Sequence, residues 1–203
     1  MQCFNDGRCV ATGDTVISSG NAAPDESART IYSTDDGEVW SFGTLPTLNS
    51  DDASLVIGLS CADSQDCISV ELMPSAEHYR SQVLSSDDGG QTWSVSTYTS
   101  STPAILDGGS SCPTTDDCWA AGSILGPPAT ATYDPGQGYI MATTDGGRTW
   151  SSETLPTVDG SPLPYIGSIS CPTINGCLAL SAITDSSGQQ QSVVLSNEAT
   201  SSS

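Results

Sequence analysis

Three observations predict an all-β chain, a β-propeller of four-stranded antiparallel blades with about 3.5 blades present. Cysteines recur in pairs. A second motif built on Asp, Gly and Trp recurs in the same register. Between them lie four short strand-like stretches per repeat of roughly 50 residues.

The cysteine pairs are Cys3/Cys9, Cys61/Cys67, Cys112/Cys118 and Cys171/Cys177, each with five residues between its members. They begin at intervals of 58, 51 and 59 residues. Their flanks are alike: Gly58-Leu59-Ser60 precedes the second pair, Gly109-Ser110-Ser111 the third and Ser168-Ile169-Ser170 the fourth. A disulfide across so short a turn would clamp the first two strands of a unit. Loop entropy makes one clamp worth about 2.4 kcal/mol and four up to about 9 kcal/mol. Zinc would want closer ligand pairs, usually with His, and His78 is the sole histidine. A redox site would want C-x-x-C, which is absent.

The second motif reads hydroxyl-x-Asp-x-Gly-x-x-Trp. Its copies are Ser33, Asp35, Gly37, Trp40; Ser86, Asp88, Gly90, Trp93; and Thr143, Asp145, Gly147, Trp150. Such a turn uses Asp to accept backbone N–H groups, Gly to take positive φ and Trp to pack between sheets. A fourth copy near Leu195–Glu198 lacks Gly and Trp. The calcium-loop pattern D-x-[DN]-x-[DN]-G is not met, so Asp35, Asp88 and Asp145 read as turn stabilisers and no metal or cofactor is called for.

Within the second repeat, Ser54–Cys61 and Cys67–Met73 are apolar and β-prone, Tyr79–Ser86 alternates, and Trp93–Tyr98 follows the Asp87–Gly90 turn. No useful stretch has helical periodicity. Blade units of one partial propeller are thus expected at 1–45, 53–99, 104–155 and 165–197, with 198–203 a disordered tail. The first unit holds only the end of its inner strand and the last has no fourth strand. This reads as an arc of a longer ring, with a ring-closing second copy and a strained four-blade ring as alternatives.

The units resemble neuraminidase-repeat (BNR, Asp-box) propellers of the sialidase-like superfamily, in the cysteine-paired form of secreted bacterial proteins; residues 112–150 match best. The resemblance implies that the Asp-box is structural. Sialidases, xyloglucan hydrolases, sortilin-type receptors and photosystem II assembly factors share such repeats, so the motif identifies fold and not function.

The chain carries 24 acids, 4 arginines and no lysine, for a net charge of −20. That excludes phosphate-neutralising nucleic-acid binding and docking on anionic membranes. No apolar run is long enough for membrane insertion. The cystines imply a secreted or cell-surface protein, yet Met1-Gln2-Cys3 opens no signal peptide, so the true N-terminus is expected upstream. A sialidase would need an arginine cluster around the substrate carboxylate. Here Arg8 and Arg148 lie in turns, only Arg29 and Arg80 lie on strands, and the family's Arg-Ile-Pro motif is absent. With one histidine, a Ser-His-Asp triad is not credible.

Antiparallel turns alternate sides. The cysteine loops and Asp-boxes should therefore share one face, and the loops after the second and fourth strands the other. The latter vary in length and chemistry, as Pro74–His78 and Leu125–Gly138 do, and as loops that hold ligands do. Tyr79, Asp107, Tyr133 and Asp134 are the candidate contacts for a glycan or protein ligand. The expected function is a non-catalytic binding module. The alternatives are a segment of a secreted glycoside hydrolase whose machinery lies partly elsewhere, and an assembly factor. Further blades or a second copy are the expected partners at the open ends.

Overall fold

The computed structural model describes residues 1–17, 25–46, 55–74, 79–98, 104–125, 135–184 and 187–197. These form strands and turns with no helix among them. The expected tail and His78 fall outside the described residues.

The first blade is β1 (Gln2–Cys3), β2 (Cys9–Ile17), β3 (Asp25–Ser33) and β4 (Ser41–Phe42), hydrogen-bonded in that order and antiparallel. The second is β5 (Leu55–Cys61), β6 (Cys67–Pro74), β7 (Tyr79–Ser86) and β8 (Ser94–Val95). After β9 (Thr97–Tyr98) comes the third, whose inner strand is split into β10 (Ala104–Ile105) and β11 (Ser110–Ser111), followed by β12 (Cys118–Leu125), β13 (Pro135–Thr143) and β14 (Thr149–Ser152). A hairpin, β15 (Thr157–Val158) and β16 (Ser161–Pro162), precedes the last blade of β17 (Ser168–Ser170), β18 (Leu178–Thr184) and β19 (Gln190–Ser196). The fold is a β-propeller of antiparallel blades, the last of them three-stranded.

All four disulfides close within a blade, Cys3–Cys9, Cys61–Cys67, Cys112–Cys118 and Cys171–Cys177, and they fit an oxidising compartment. Each pins an inner strand to the second strand where the two Cα atoms lie 3.9–4.1 Å apart.

The apolar cores lie between blades. Val10 of the first blade meets Cys61, Cys67, Leu84 and Trp93 of the second. Ile68, Val70 and Val83 of the second meet Leu106, Ala120, Met141 and Trp150 of the third. Being covered on both faces, Cys67–Glu71 of β6 is buried at every position and shows no alternation. By contrast β18 alternates, with Ala179 and Ser181 buried and Leu178 and Leu180 exposed.

Three contacts repeat from seam to seam. At the hub, the residue before the first half-cystine accepts the amide of the next blade's first half-cystine. Gln2 Oε1 receives Cys61 N–H (2.6 Å), Ser60 Oγ receives Cys112 N–H (2.9 Å) and Ser111 Oγ receives Cys171 N–H (2.8 Å). Further out, the residue after the second half-cystine lies under a turn glycine of the next blade. A Cβ on Gly90 would come 2.8 Å from Val10 Cγ1, and one on Gly147 3.1 Å from Ile68 Cγ2. At the rim, the chain leaving one blade runs parallel to the next blade's outer strand: Thr44 bridges Thr92, and β9 pairs with β14.

The rim contact corrects one expectation. Trp93–Tyr98 is not a single fourth strand. It breaks after Val95, where Ser96 turns in to donate to Val83 C=O (2.8 Å), and Thr97–Tyr98 joins the third blade. Two further differences follow from local bonding. The stretch expected as loop through Gly138 is already strand from Pro135, paired across to Leu125. The inner strand of the last blade starts at Ser168 and not at Tyr165, because Leu163 C=O and Ile166 N–H are taken by Gly138 and Gly122 of the third blade.

Replacing Ser60 with Ala leaves the Cys112 amide without its acceptor. Denaturant titration should show a loss of about 1 kcal/mol. The double substitution Cys61→Ser, Cys67→Ser should cost about 2 kcal/mol by the same measurement.

Candidate functional site

The blades have two ends, and the sequence motifs occupy only one. There each hydroxyl–Asp–Gly–Trp turn is held by the same bonds. Ser33, Ser86 and Thr143 hydroxyls donate to Asp35, Asp88 and Asp145 Oδ1 at 2.6, 2.9 and 2.7 Å. The same hydroxyls accept from Gly37, Gly90 and Gly147 N–H at 3.0, 2.9 and 3.1 Å. Oδ1 also accepts the amide four residues on, from Val39, Thr92 and Thr149, each at 2.9 Å. Each Trp Nε1 donates to the turn glycine's carbonyl at 3.0 Å. The two residues after Asp take positive φ in all copies, including the non-glycine Asp36 (φ 59).

These turns sit against the disulfide loops. Asp36, Gly89 and Gly146 N–H donate to Gly7, Gln65 and Asp116 C=O at 2.8, 2.9 and 3.0 Å. The expectation that cysteine loops and turns share a face is therefore met bond by bond.

Charge on this face is local. The Thr149 hydroxyl and amide lead the groups that hold the Asp145 carboxyl down, from the ordinary 3.8 to about 2. For Asp88, burial pushes upward, but the Thr92 hydroxyl and amide and the Ser86 hydroxyl outweigh it and the carboxyl titrates low. Asp35 is lowered by Ser33 and the Val39 amide, without the second hydroxyl that Thr92 and Thr149 provide. Between the second and third blades an open pocket of about 270 Å³ is lined by Asp66, Asp87, Asp116 and Arg148 among others. Burial, with Asp63 and Asp87 nearby, pushes Asp66 upward against the pull of Arg148.

Of the four expected ligand residues, two are described. Tyr79 opens β7, paired with Pro74. Tyr133 and Asp134 lie outside the described residues. Asp107 is not in a connecting loop: it lies on the inner strand of the third blade, in the break between β10 and β11, where Gly108 and Gly109 bond Ala121. It is exposed.

The sequence reading missed one group here. Glu71 is 1% exposed, takes Gln82 Nε2–H at 2.9 Å on Oε2, and has no partner for Oε1. Burial raises its pKa; Gln82 opposes, and Asp14 adds to the rise. Asp14 comes from the first blade, where its Oδ1 accepts the amide of Val56 (2.8 Å) beside the bulge in β5. Val56 is the cross-strand partner of Glu71. The result is a buried carboxyl whose pKa is pushed upward, with an exposed acid of the first blade close enough to add to the rise. The signal in sequence was a lone acid inside the apolar run Val70-Glu71-Leu72-Met73.

No protein-family model and no curated protein matches the sequence. Solved structures do. A protein of unknown function from Dyadobacter fermentans superposes with a TM-score of 0.57 at 16% identity, covering 97% of this chain and 59% of its own. The Hadza microbial sialidase Hz136 gives 0.58 at 14%, covering 94% and 42%. A mutant of Trypanosoma rangeli sialidase displaying trans-sialidase activity gives 0.50 at 16%, covering 94% and 30%. These likenesses bear on the fold alone, an all-β propeller. This propeller chain spans 30–59% of the length of those three proteins.

Thr149→Val should raise the Asp145 pKa toward that of an ordinary aspartate, as read by carboxyl NMR titration. Because the folded value is depressed, the stabilisation is complete above 3.8 and lost as pH falls toward about 2. The variant should therefore lose stability at neutral pH and keep it near pH 2; an unshifted titration would contradict the assignment.

Proposed function

We propose that this chain is a secreted, non-catalytic propeller module that binds a glycan or protein ligand at the end remote from its disulfides. One observation carries the reading. At the disulfide end the same turn recurs three times with its Asp, hydroxyl, Gly and Trp groups consumed internally, whereas the sequences expected to join the strands at the other end differ from repeat to repeat. We read the recurrent turns as Asp-boxes of a neuraminidase-type repeat, structural in role. The described arginines support a binder over a sialidase. The Arg8 guanidinium lies 3.9 Å from Asp6 and those of Arg29 and Arg148 donate to Ala28 and Asp145 C=O, so each has a partner within its own strand or turn. The four cystines support export.

A second reading, glycoside hydrolysis, is favoured by Glu71 and Asp14. A carboxyl whose pKa burial raises, near a second acid, is the kind of pairing that glycosidases use for acid and nucleophile or base.

A glycan array with the purified chain, run beside a fluorogenic glycoside panel, separates the two. The binder predicts retention on the array that falls about tenfold or more with Tyr79→Ala plus Asp134→Ala, and no turnover. Turnover abolished by Glu71→Gln would establish the second reading instead.

A further inference from the structure

The internal seams give a template for what the two outer blade faces should meet. In each complete seam the leading blade contributes a hub acceptor and an apolar residue after its second half-cystine. The trailing blade contributes a half-cystine amide, a turn glycine and its tryptophan. The last blade carries the leading half, unfilled. Ser170 corresponds to Ser60 and Ser111, and is exposed. Leu178 corresponds to Val10 and Ile68, which are buried, yet it is 48% exposed; Val194 corresponds to the buried Val83 and is 60% exposed. The first blade carries the trailing half. Trp40 and Ile31 are only half-buried, where Trp93, Trp150, Leu84 and Met141 are buried. Gly37 keeps the turn conformation of Gly90 and Gly147, with φ +83, but only its own Trp40 lies over it.

Charge points the same way. In a chain of net charge −20, β18 and β19 contain no charged residue. A face meant for water in so acidic a protein would carry acids; this one carries none and exposes Leu178, Leu180 and Val194.

We propose that the outer face of the last blade is a docking surface for the first blade of a second copy of this chain. Leu178 is received under Gly37 and Trp40, and Ser170 Oγ accepts the Cys3 amide. The contact is heterologous, head to tail. It works against the mutual repulsion of two strongly acidic chains, so it tightens as salt screens that repulsion.

The test uses the full chain in sedimentation and light scattering across concentration, at low and high salt. Expected is a mass of two or more copies that grows with concentration and with salt. Leu178→Asp alters an exposed side chain, and Gly37→Asn places a bulk at a φ that Asn tolerates; both should keep the native circular dichroism. Each alone should weaken association about tenfold or more. Mixed together, the two variants should form a one-to-one pair through the single seam left intact. A chain that stays monomeric at high salt overturns the proposal. So does a monomer in which Trp40 and Leu178 are protected from hydroxyl-radical labelling, because its first blade would then be docked on its own last blade. Association unaffected by either substitution overturns it as well.

Discussion

No blade of this protein is stable on its own account; burial between neighbouring blades is the constraint on which the rest depends. Four short strands present two faces and little interior, and large apolar side chains are few. The chain solves this by stacking. Ile68 and Val70 point one way from β6 and Cys67 the other, and each finds a neighbouring blade. At roughly 1.5–3 kcal/mol per fully buried aliphatic side chain, a seam of several such residues outweighs any turn or cystine. The disulfides and hydroxyl–Asp turns act one level down. They fix the shape of each blade so that the glycine of one turn can lie on the side chain of the blade before it. A Cβ at Gly90 could not be accommodated without moving Val10.

Much of this was legible in the sequence, because the repeat places local chemistry at fixed offsets. The cysteine pairs, the turns, and the strands flanking them depend on contacts a few residues apart, and spacing records such contacts directly. Much of what escaped depends on partners more than forty residues away. Ser60 and Ser111 looked like features of their own unit, but their hydroxyls serve the next blade. The break after Val95 follows from pairing with β14, which no local pattern encodes. Glu71 was overlooked because its meaning comes from burial between two blades, and Asp107 was misplaced because the inner strand of the third blade is interrupted where the second repeat's is continuous. The residues assigned to a ligand face were the least secured by sequence, since loops that vary between repeats carry no offset to read.

The polar chemistry divides along the same line. At the disulfide end, carboxylates are kept ionised by donors of their own turns, so acidity there is structural and local. Between the first two blades the Glu71 carboxyl, buried with an unmatched oxygen, is pushed the other way. The contrast shows how one acidic composition yields carboxyls shifted down in solvated turns and one shifted up by burial, depending on whether the side chain faces water or a neighbouring sheet.

Every cystine joins two strands of a single blade, six positions apart in sequence, and none crosses a seam. Covalent crosslinking thus strengthens the individual blades and leaves the joints to packing. Under tension applied between its ends, such a chain would come apart blade by blade. Each released unit would extend to its full length except for the few residues locked inside its sulfur ring, giving a staircase of evenly sized steps whose height reports the repeat.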